Sequence, residues 1–257
     1  MTLRPSQMRE RYRNIAVTLD PPRMPVNVSV TRYACQVVGY GTGQQERVAY
    51  KNRLYRASRS DLLGMNPPDM VDVFTGKGTV ENIQKSLRLA ARHRIYFHVG
   101  PEAGSGEGLS DQDGINRVVD QYIGLDCNGF VGNWAMAAGV RGATAQRAPL
   151  DWLSHGRVRR TIDDIRAGDV IVWHSGTHIA AVESTYAFTT GPTPRRDMYV
   201  VESSTGGVQA HAYVLTTVEH AATVERYGHT YTTNFTGSTG IHGSGFRVFV
   251  VGLTGLH

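Results

Sequence analysis

The sequence is poor in cysteine and has no long apolar run. Only two cysteines, Cys35 and Cys127, occur in 257 residues, too few for the disulfide framework of a small secreted domain. No run of about 18 apolar residues is present, so we expect no membrane span. The first residues lack the apolar segment of a signal peptide. We therefore expect a protein that acts where it is made or that leaves by a specialised secretion route.

The charge is modest and scattered along the chain. Hydrophobic residues make up 40% and charged residues 19%, which is typical of a globular protein with a real core. The net charge of +5 suits an anionic partner such as a cell-wall polymer, a nucleic acid or a membrane surface. The arginines form no stripe interleaved with aromatic residues, so we do not expect nucleic-acid binding.

Proline, glycine and hydrophobic periodicity organise the first part of the chain. Prolines interrupt the polar residues 1–26 and favour a tail or strap. Alternating apolar residues predict one or two strands over residues 26–40 and a further strand over residues 47–56. Apolar residues at helical spacing predict a helix over residues 80–94, with Thr79 as its N-cap.

A glycine-rich stretch, residues 100–108, predicts a linker. We therefore divide the chain into residues 1–100, a β-containing extension whose role the sequence does not reveal, and residues 101–257, a second domain.

The second part predicts two helices followed by strands. The helices are expected over residues 113–122 and from Cys127 to about residue 140. Gly, Thr and Ser predict a surface loop over residues 232–245. A turn leading into a strand is expected over residues 165–173, and further strands over residues 178–183, 198–202, 208–217 and 246–251. A cysteine-bearing helix followed by antiparallel strands indicates an α+β fold.

Cys127 lies where a reactive thiol is expected. It stands between Asp126 and Asn128, with Gly129 and an apolar run behind it. Unpaired N–H groups and the positive end of the dipole at a helix start both favour a thiolate. Cys35 lies inside a predicted strand and is interpreted as a small buried residue.

A cysteine nucleophile needs a base and a group that orients the base. His178 begins a predicted strand just after a glycine turn, so it is the candidate base. Glu183 lies five residues later, an odd offset that turns it to the opposite face. Glu202, on the next strand, has no such conflict and is the candidate orienting group.

A zinc site is an alternative use of the same histidine. His174 and His178, four residues apart, could form a metal site with Glu202. That spacing brings two histidines together on a helix, whereas Gly176 and the surrounding strand pattern argue against a helix.

Four short blocks resemble the NlpC-type, papain-like cell-wall cysteine peptidase family. They occur in the family's order at residues 126–131, 166–171, 178–182 and 199–204. The resemblance covers roughly residues 113–215. It implies a papain-like fold, with the catalytic helix packed on an antiparallel sheet, and a Cys127–His178–Glu202 triad that needs no cofactor or metal.

The resemblance also implies a substrate, a peptidoglycan stem peptide cut beside D-glutamate. It places Asp126 and Asn128 near the amine end of that substrate. Asn128 stands where the family usually has serine, and Glu202 stands where it most often has histidine. Ile115 replaces a tyrosine that often precedes the cysteine, and Tyr122 is a candidate substitute.

Three functions are consistent with this pattern. The first is a peptidoglycan endopeptidase or amidase acting in the cell envelope as a secreted effector, with an immunity or secretion protein as a partner, or as a phage-borne lysin. The second is a papain-like toxin or modifying enzyme, a deamidase, transglutaminase or acyltransferase, acting on a protein or lipid. The third is a catalytically silent binding module, against which the intact Cys127, His178 and Glu202 set argues.

Overall fold

The chain contains two compact units. One consists of Met1–Arg9 together with Cys127–His257, and the other is the continuous stretch Glu10–Asp126. The computed structural model describes residues 2–21, 23–34, 44–61, 65–95, 110–159, 162–188, 195–217, 231–235 and 246–256. The predicted linker over residues 100–108 and the boundary beside it lie outside these described residues.

The described residues form helices and antiparallel strands. The helices are α1 (Pro5–Arg13), α2 (Gln44–Ala57), α3 (Pro67–Phe74), α4 (Val80–Arg92), α5 (Asp111–Tyr122) and α6 (Cys127–Ala137). The strands are β1 (Ile15–Val17), β2 (Val26–Val28), β3 (Gly156–Val158), β4 (Val170–Trp173), β5 (Ile179–Phe188), β6 (Arg195–Ser204), β7 (Gly207–Thr217), β8 (Tyr231–Phe235) and β9 (Phe246–Leu253). The predicted α+β class, with antiparallel sheets, is confirmed.

The unit that contains Cys127 is built on one antiparallel sheet. Its strand order is β3-β9-β4-β5-β6-β7-β8, and β9 also pairs with β8, so the strands β4 to β9 close on themselves. Closure pairs β8 with both β7 and β9, and the short strand β3 extends the sheet from β9.

One face of this sheet carries an apolar core. Because side chains alternate along a strand, every second residue of the central strands points into it. The core consists of Ile165, Ile171, Trp173, Ala180, Val182, Met198, Val200, Tyr213, Val248 and Val250. His178 lies two residues before Ala180, and Glu202 lies two residues after Val200. Both side chains are therefore on the same face of the sheet as the apolar core.

Helix α6 packs against β5 and β6. Its residues Phe130, Val131 and Trp134 are at most 1% exposed. Gly132 permits close packing, because a Cβ there would lie 2.5 Å from both Ala145 Cα and Thr144 O. The small residue thus fixes how near the helix approaches the loop that follows it.

The other unit is mostly helical around a short ribbon. Strands β1 and β2 pair antiparallel, with α4 against β1 and α5 against β2. Thr79 caps α4, since its Oγ1 accepts a hydrogen bond of 3.1 Å from Asn82 N. The predicted helix and its cap are therefore confirmed, apart from two residues at its end.

The predicted strand over residues 47–56 is wrong, because these residues belong to helix α2. The buried side chains are Arg47, Tyr50 and Leu54, whereas Val48 is 46% exposed. That spacing is the period of a helix, and the intervening Ala, Lys and Arg favour helix.

Two predicted irregular segments also contain regular structure. Residues 1–26, expected to be a tail or strap, include α1 and β1, with Pro5 in the first helical position, where proline is tolerated. The start of the predicted loop 232–245 belongs to β8, because its threonines pair with β7 and β9. Residues 236–245 lie outside the described part.

Other predictions concern the segment around Cys35. Strand β2 covers only the start of the predicted strand 26–40. Cys35 itself lies outside the described residues.

Among the helices that are described, none is both long and apolar enough to cross a membrane.

Candidate active site

Cys127 is the first residue of α6 and is 4% exposed. Its backbone N–H, like those of the next residues, has no partner within the helix. The positive end of the helix dipole therefore lies at the thiol and favours negative charge there. The predicted start of the helix at the cysteine is confirmed.

His178 is held by a tight turn directly before β5. Gly176 adopts a φ of +70°, and its N–H donates to Trp173 O at 2.8 Å. Trp173 N donates to His178 O at 3.0 Å and closes the turn. The Trp173 ring meets the imidazole edge-on, at 4.7 Å between centroids. Backbone and aromatic contacts thus fix the imidazole ring, which is 14% exposed.

Glu202 lies on β6 and is fully buried. Its Oε2 is 2.7 Å from His178 Nε2. The same oxygen accepts a hydrogen bond of 2.8 Å from Tyr213 Oη, and Oε1 lies 3.4 Å from His211 Nε2. The buried carboxylate thus has hydrogen bonds at Oε2, whereas Oε1 accepts none from the described residues and has His211 beside it at ion-pair distance.

The Cys127 side chain also hydrogen-bonds the His178 imidazole. Because Glu202 occupies Nε2, Nδ1 is the ring nitrogen left for the thiol. The three predicted residues are therefore brought together in the order thiol, imidazole, carboxylate. This is the arrangement in which a base takes a proton from a nucleophile while a third group fixes its tautomer.

The electrostatics favour a charged imidazole. Burial alone would lower the pKa of His178, but its hydrogen bonds with Cys127 and Glu202 outweigh it and raise the pKa to about 10. Burial would raise the pKa of Glu202, yet the hydrogen bonds from His178 and Tyr213 hold it below its ordinary value. Imidazolium and carboxylate thus stabilise each other.

Glu183, the rival carboxylate, is used elsewhere. The register between β5 and β6 shifts between Val182 and Ser184, and both oxygens of Glu183 accept hydrogen bonds of 2.8 Å, from Ser6 N and Ser6 Oγ. The choice of Glu202 by strand parity agrees with this geometry.

The remaining candidate residues have other surroundings. Asp126 and Tyr122 belong to the Glu10–Asp126 unit. There the Asp126 carboxylate pairs with Lys77 Nζ at 2.5 Å, and the Tyr122 ring stacks on Tyr50 at 4.4 Å. Asn128, on α6, has a buried Oδ1 that accepts no hydrogen bond from the described residues. Substrate contact by these three residues stays a prediction.

His174, which the zinc alternative uses, stacks on Phe249 with ring centroids 5.2 Å apart. Within the described ranges, no three His, Cys, Asp or Glu side chains are grouped so that they could hold a metal ion.

Sequence reasoning missed His211 and Tyr213. Both lie on the predicted strand 208–217, two residues apart and so on one face. Their relation to Glu202 depends on the register of β6 and β7, in which Val200 pairs with His211 and Met198 with Tyr213.

Comparisons of the chain with protein-family models, curated proteins and solved structures returned no match. The family resemblance of the four sequence blocks accordingly stays a hypothesis.

Proposed function

We propose that the Cys127-bearing unit is a papain-like cysteine hydrolase. Cys127 is the nucleophile, His178 is the general base and acid, and Glu202 orients the imidazole. One observation carries the proposal: the His178 ring hydrogen-bonds both the thiol and a fully buried carboxylate. A structural histidine needs neither partner, whereas a thiolate–imidazolium pair needs both.

The acylation step follows from these positions. The thiol gives its proton to His178, and the Cys127 sulfur attacks the carbonyl carbon of the substrate. The negative charge that develops on the carbonyl oxygen is stabilised by N–H groups at the start of α6, including that of Cys127. The carbon–nitrogen bond then breaks, and His178 gives its proton to the departing amine. The product left on the enzyme is a thioester.

Hydrolysis of the thioester uses the same base. His178 takes a proton from water, and the hydroxide oxygen bonds to the thioester carbon. The carbon–sulfur bond breaks, the acid product leaves, and Cys127 returns as thiolate beside imidazolium. Glu202 stays ionised throughout, because its pKa lies below the ordinary value, and it keeps Nδ1 directed at the sulfur.

We further propose that the substrate is a peptidoglycan stem peptide cut beside D-glutamate. Support comes from the order of the four sequence blocks and from the net charge of +5, which suits a polymer that carries carboxylates.

Incubation with purified peptidoglycan, followed by mass spectrometry of the released material, tests this function. We expect new stem-peptide fragments with the wild-type protein and none with Cys127→Ala. Fragments that persist in Cys127→Ala would exclude Cys127 as the nucleophile. Absence of fragments with wild type, although Cys127 is alkylated rapidly below about pH 7, would exclude this substrate while keeping the cysteine chemistry.

A further inference from the structure

Glu202 has more partners than orientation of one imidazole requires. Its Oε2 accepts from Tyr213 at 2.8 Å as well as facing His178 at 2.7 Å. Its Oε1 lies 3.4 Å from His211 Nε2. Glu202, Tyr213 and His211 are 0%, 1% and 9% exposed, so water competes little for these contacts.

The surroundings explain why a single partner is insufficient. Glu202 follows Met198 and Val200 in a row that faces the apolar core. A carboxylate in such a place tends to take up a proton or to turn toward water. A protonated or rotated Glu202 would no longer stabilise an imidazolium at His178.

We propose that Tyr213 and His211 are positioning residues that fix the Glu202 carboxylate, so that Oε2 stays directed at His178 Nε2. Tyr213 donates a hydrogen bond to the oxygen that also faces His178. His211 Nε2 lies 3.4 Å from the opposite oxygen, an ion-pair distance without the geometry of a hydrogen bond. Rotation of the carboxylate would therefore break the Tyr213 hydrogen bond and disturb the His211 contact. The inference rests on the proposed function, because it concerns the residue that orients the proposed base.

The architecture of β7 supports this role. Tyr213 pairs with Met198 and His211 pairs with Val200, so both side chains come from a strand fixed along its length to β6. The Trp173 ring meets the His178 and Tyr213 rings edge-on, with centroids 4.7 Å and 5.9 Å away. Burial and the nearby Glu202 charge raise the pKa of Tyr213 well above its ordinary value, so its hydroxyl remains a donor over the whole working pH range.

Three substitutions separate positioning from packing. Tyr213→Phe removes one hydroxyl and keeps the ring in the core. His211→Leu removes the imidazole beside Oε1, whereas His211→Gln keeps a polar side chain with an N–H group at that position. Tyr199→Phe is the matched control, because Tyr199 lies on β6 but is 50% exposed.

The main measurement is the titration of His178 by NMR in the 257-residue protein, with the pH dependence of Cys127 alkylation by iodoacetamide alongside. We expect the His178 midpoint to fall in Tyr213→Phe by up to about one pH unit, the size expected for loss of a charge-assisted hydrogen bond. It should fall by less in His211→Leu, because the His211 contact lacks hydrogen-bond geometry. The acid limb of the Cys127 alkylation profile should move to higher pH in both variants. His211→Gln should recover most of the loss, and Tyr199→Phe should match wild type.

An unchanged His178 midpoint in both Tyr213→Phe and His211→Leu would overturn the inference, and so would a change of equal size in Tyr199→Phe. The His178 titration needs no substrate. A wild-type protein that releases no peptidoglycan fragments would therefore refute the proposed substrate, whereas the positioning role is judged on the midpoint alone.

Discussion

Replacing Glu202 by glutamine removes the charge that faces His178 and keeps the size of the side chain. In the wild-type protein, burial lowers the pKa of His178, but the hydrogen bonds with Cys127 and Glu202 raise it to about 10. A hydrogen bond to a charged group contributes about 1.5–3 kcal/mol. Loss of the Glu202 contact should therefore shift the protonation equilibrium of His178 toward the neutral ring by about 10- to 150-fold.

The rate of alkylation by iodoacetamide, followed from about pH 4 to pH 11, measures this change. Peptide mass spectrometry separates the label on Cys127 from that on Cys35, the other cysteine of the chain. Wild-type Cys127 should react below about pH 7 and Cys35 should not. In Glu202→Gln, the acid limb of the Cys127 profile should move to higher pH, because a less stable imidazolium provides less stabilisation for the thiolate.

The matched control is Glu183→Gln on the neighbouring strand. Glu183 bonds Ser6 N and Ser6 Oγ at 2.8 Å, so its replacement should reduce stability and leave the shape of the alkylation profile unchanged. If Glu202→Gln and Glu183→Gln both reproduce the wild-type profile, Glu202 does not act on His178 and the assigned triad is wrong.

Three further outcomes follow from the contacts described. The wild type should exceed Glu202→Gln in free energy of unfolding most strongly between about pH 4.5 and 6.5. The lowered pKa of Glu202 contributes stability that is fully present above its ordinary value of 4.5 and is lost as the pH falls below it. The raised pKa of His178 contributes stability that is fully present below 6.5 and is lost as the pH rises to about 10. Urea unfolding at about pH 3, 5.5, 8 and 10.5 checks this, and a difference that does not vary with pH would contradict it. Lys77→Met should destabilise the protein by about 3–5 kcal/mol, because it leaves the buried Asp126 carboxylate without its cation. The double variant Lys77→Met, Asp126→Leu should recover much of the lost stability, as measured by thermal unfolding. Gly132→Ala should lower the free energy of unfolding by about 1–3 kcal/mol, because the new Cβ would lie 2.5 Å from backbone atoms. Calorimetry measures this change, and a variant as stable as wild type would show that helix α6 can move to accommodate the methyl group.

Strand parity was sufficient to choose among the acidic residues of the site. His178 and Glu183 are separated by an odd number of residues, and the structure gives Glu183 to Ser6 instead. Glu202 could be chosen because its strand carries no conflict of parity, and it lies 2.7 Å from the imidazole. The period of two holds for the regular part of β5 up to Val182, and the register shift between Val182 and Ser184 falls at Glu183 itself.

Hydrophobic periodicity was less informative for residues 47–56. A buried arginine, Arg47, occupies a position on the core face of α2, and an apolar residue, Val48, lies exposed. Classifying these residues as apolar or polar by type therefore indicates the period of a strand, whereas the buried residues follow the period of a helix. Tertiary packing decided which residues were buried, and packing is not visible in a single window of sequence.

The contacts of Tyr213 and His211 with Glu202 required the register of a hairpin. The spacing from Glu202 to each residue is compatible with several turns, and a slip of one residue would send both side chains to the opposite face. The observed register pairs Glu202 with Gln209. Only that pairing brings the Tyr213 hydroxyl back along the strand to the carboxylate.

The organisation of the unit around Cys127 explains why local composition misjudged the chain's first residues. Met1–Arg9 belongs to the same unit as Cys127–His257, although more than a hundred residues separate them. Leu3 O accepts a hydrogen bond of 2.9 Å from Trp134 Nε1 on α6, and Ser6 holds Glu183 on β5. The first segment thus contacts both the helix that begins at Cys127 and the strand that follows His178. Such long-range pairing leaves no periodic trace in the sequence, and it makes the segment a structural part of the unit that contains Cys127 rather than a tail.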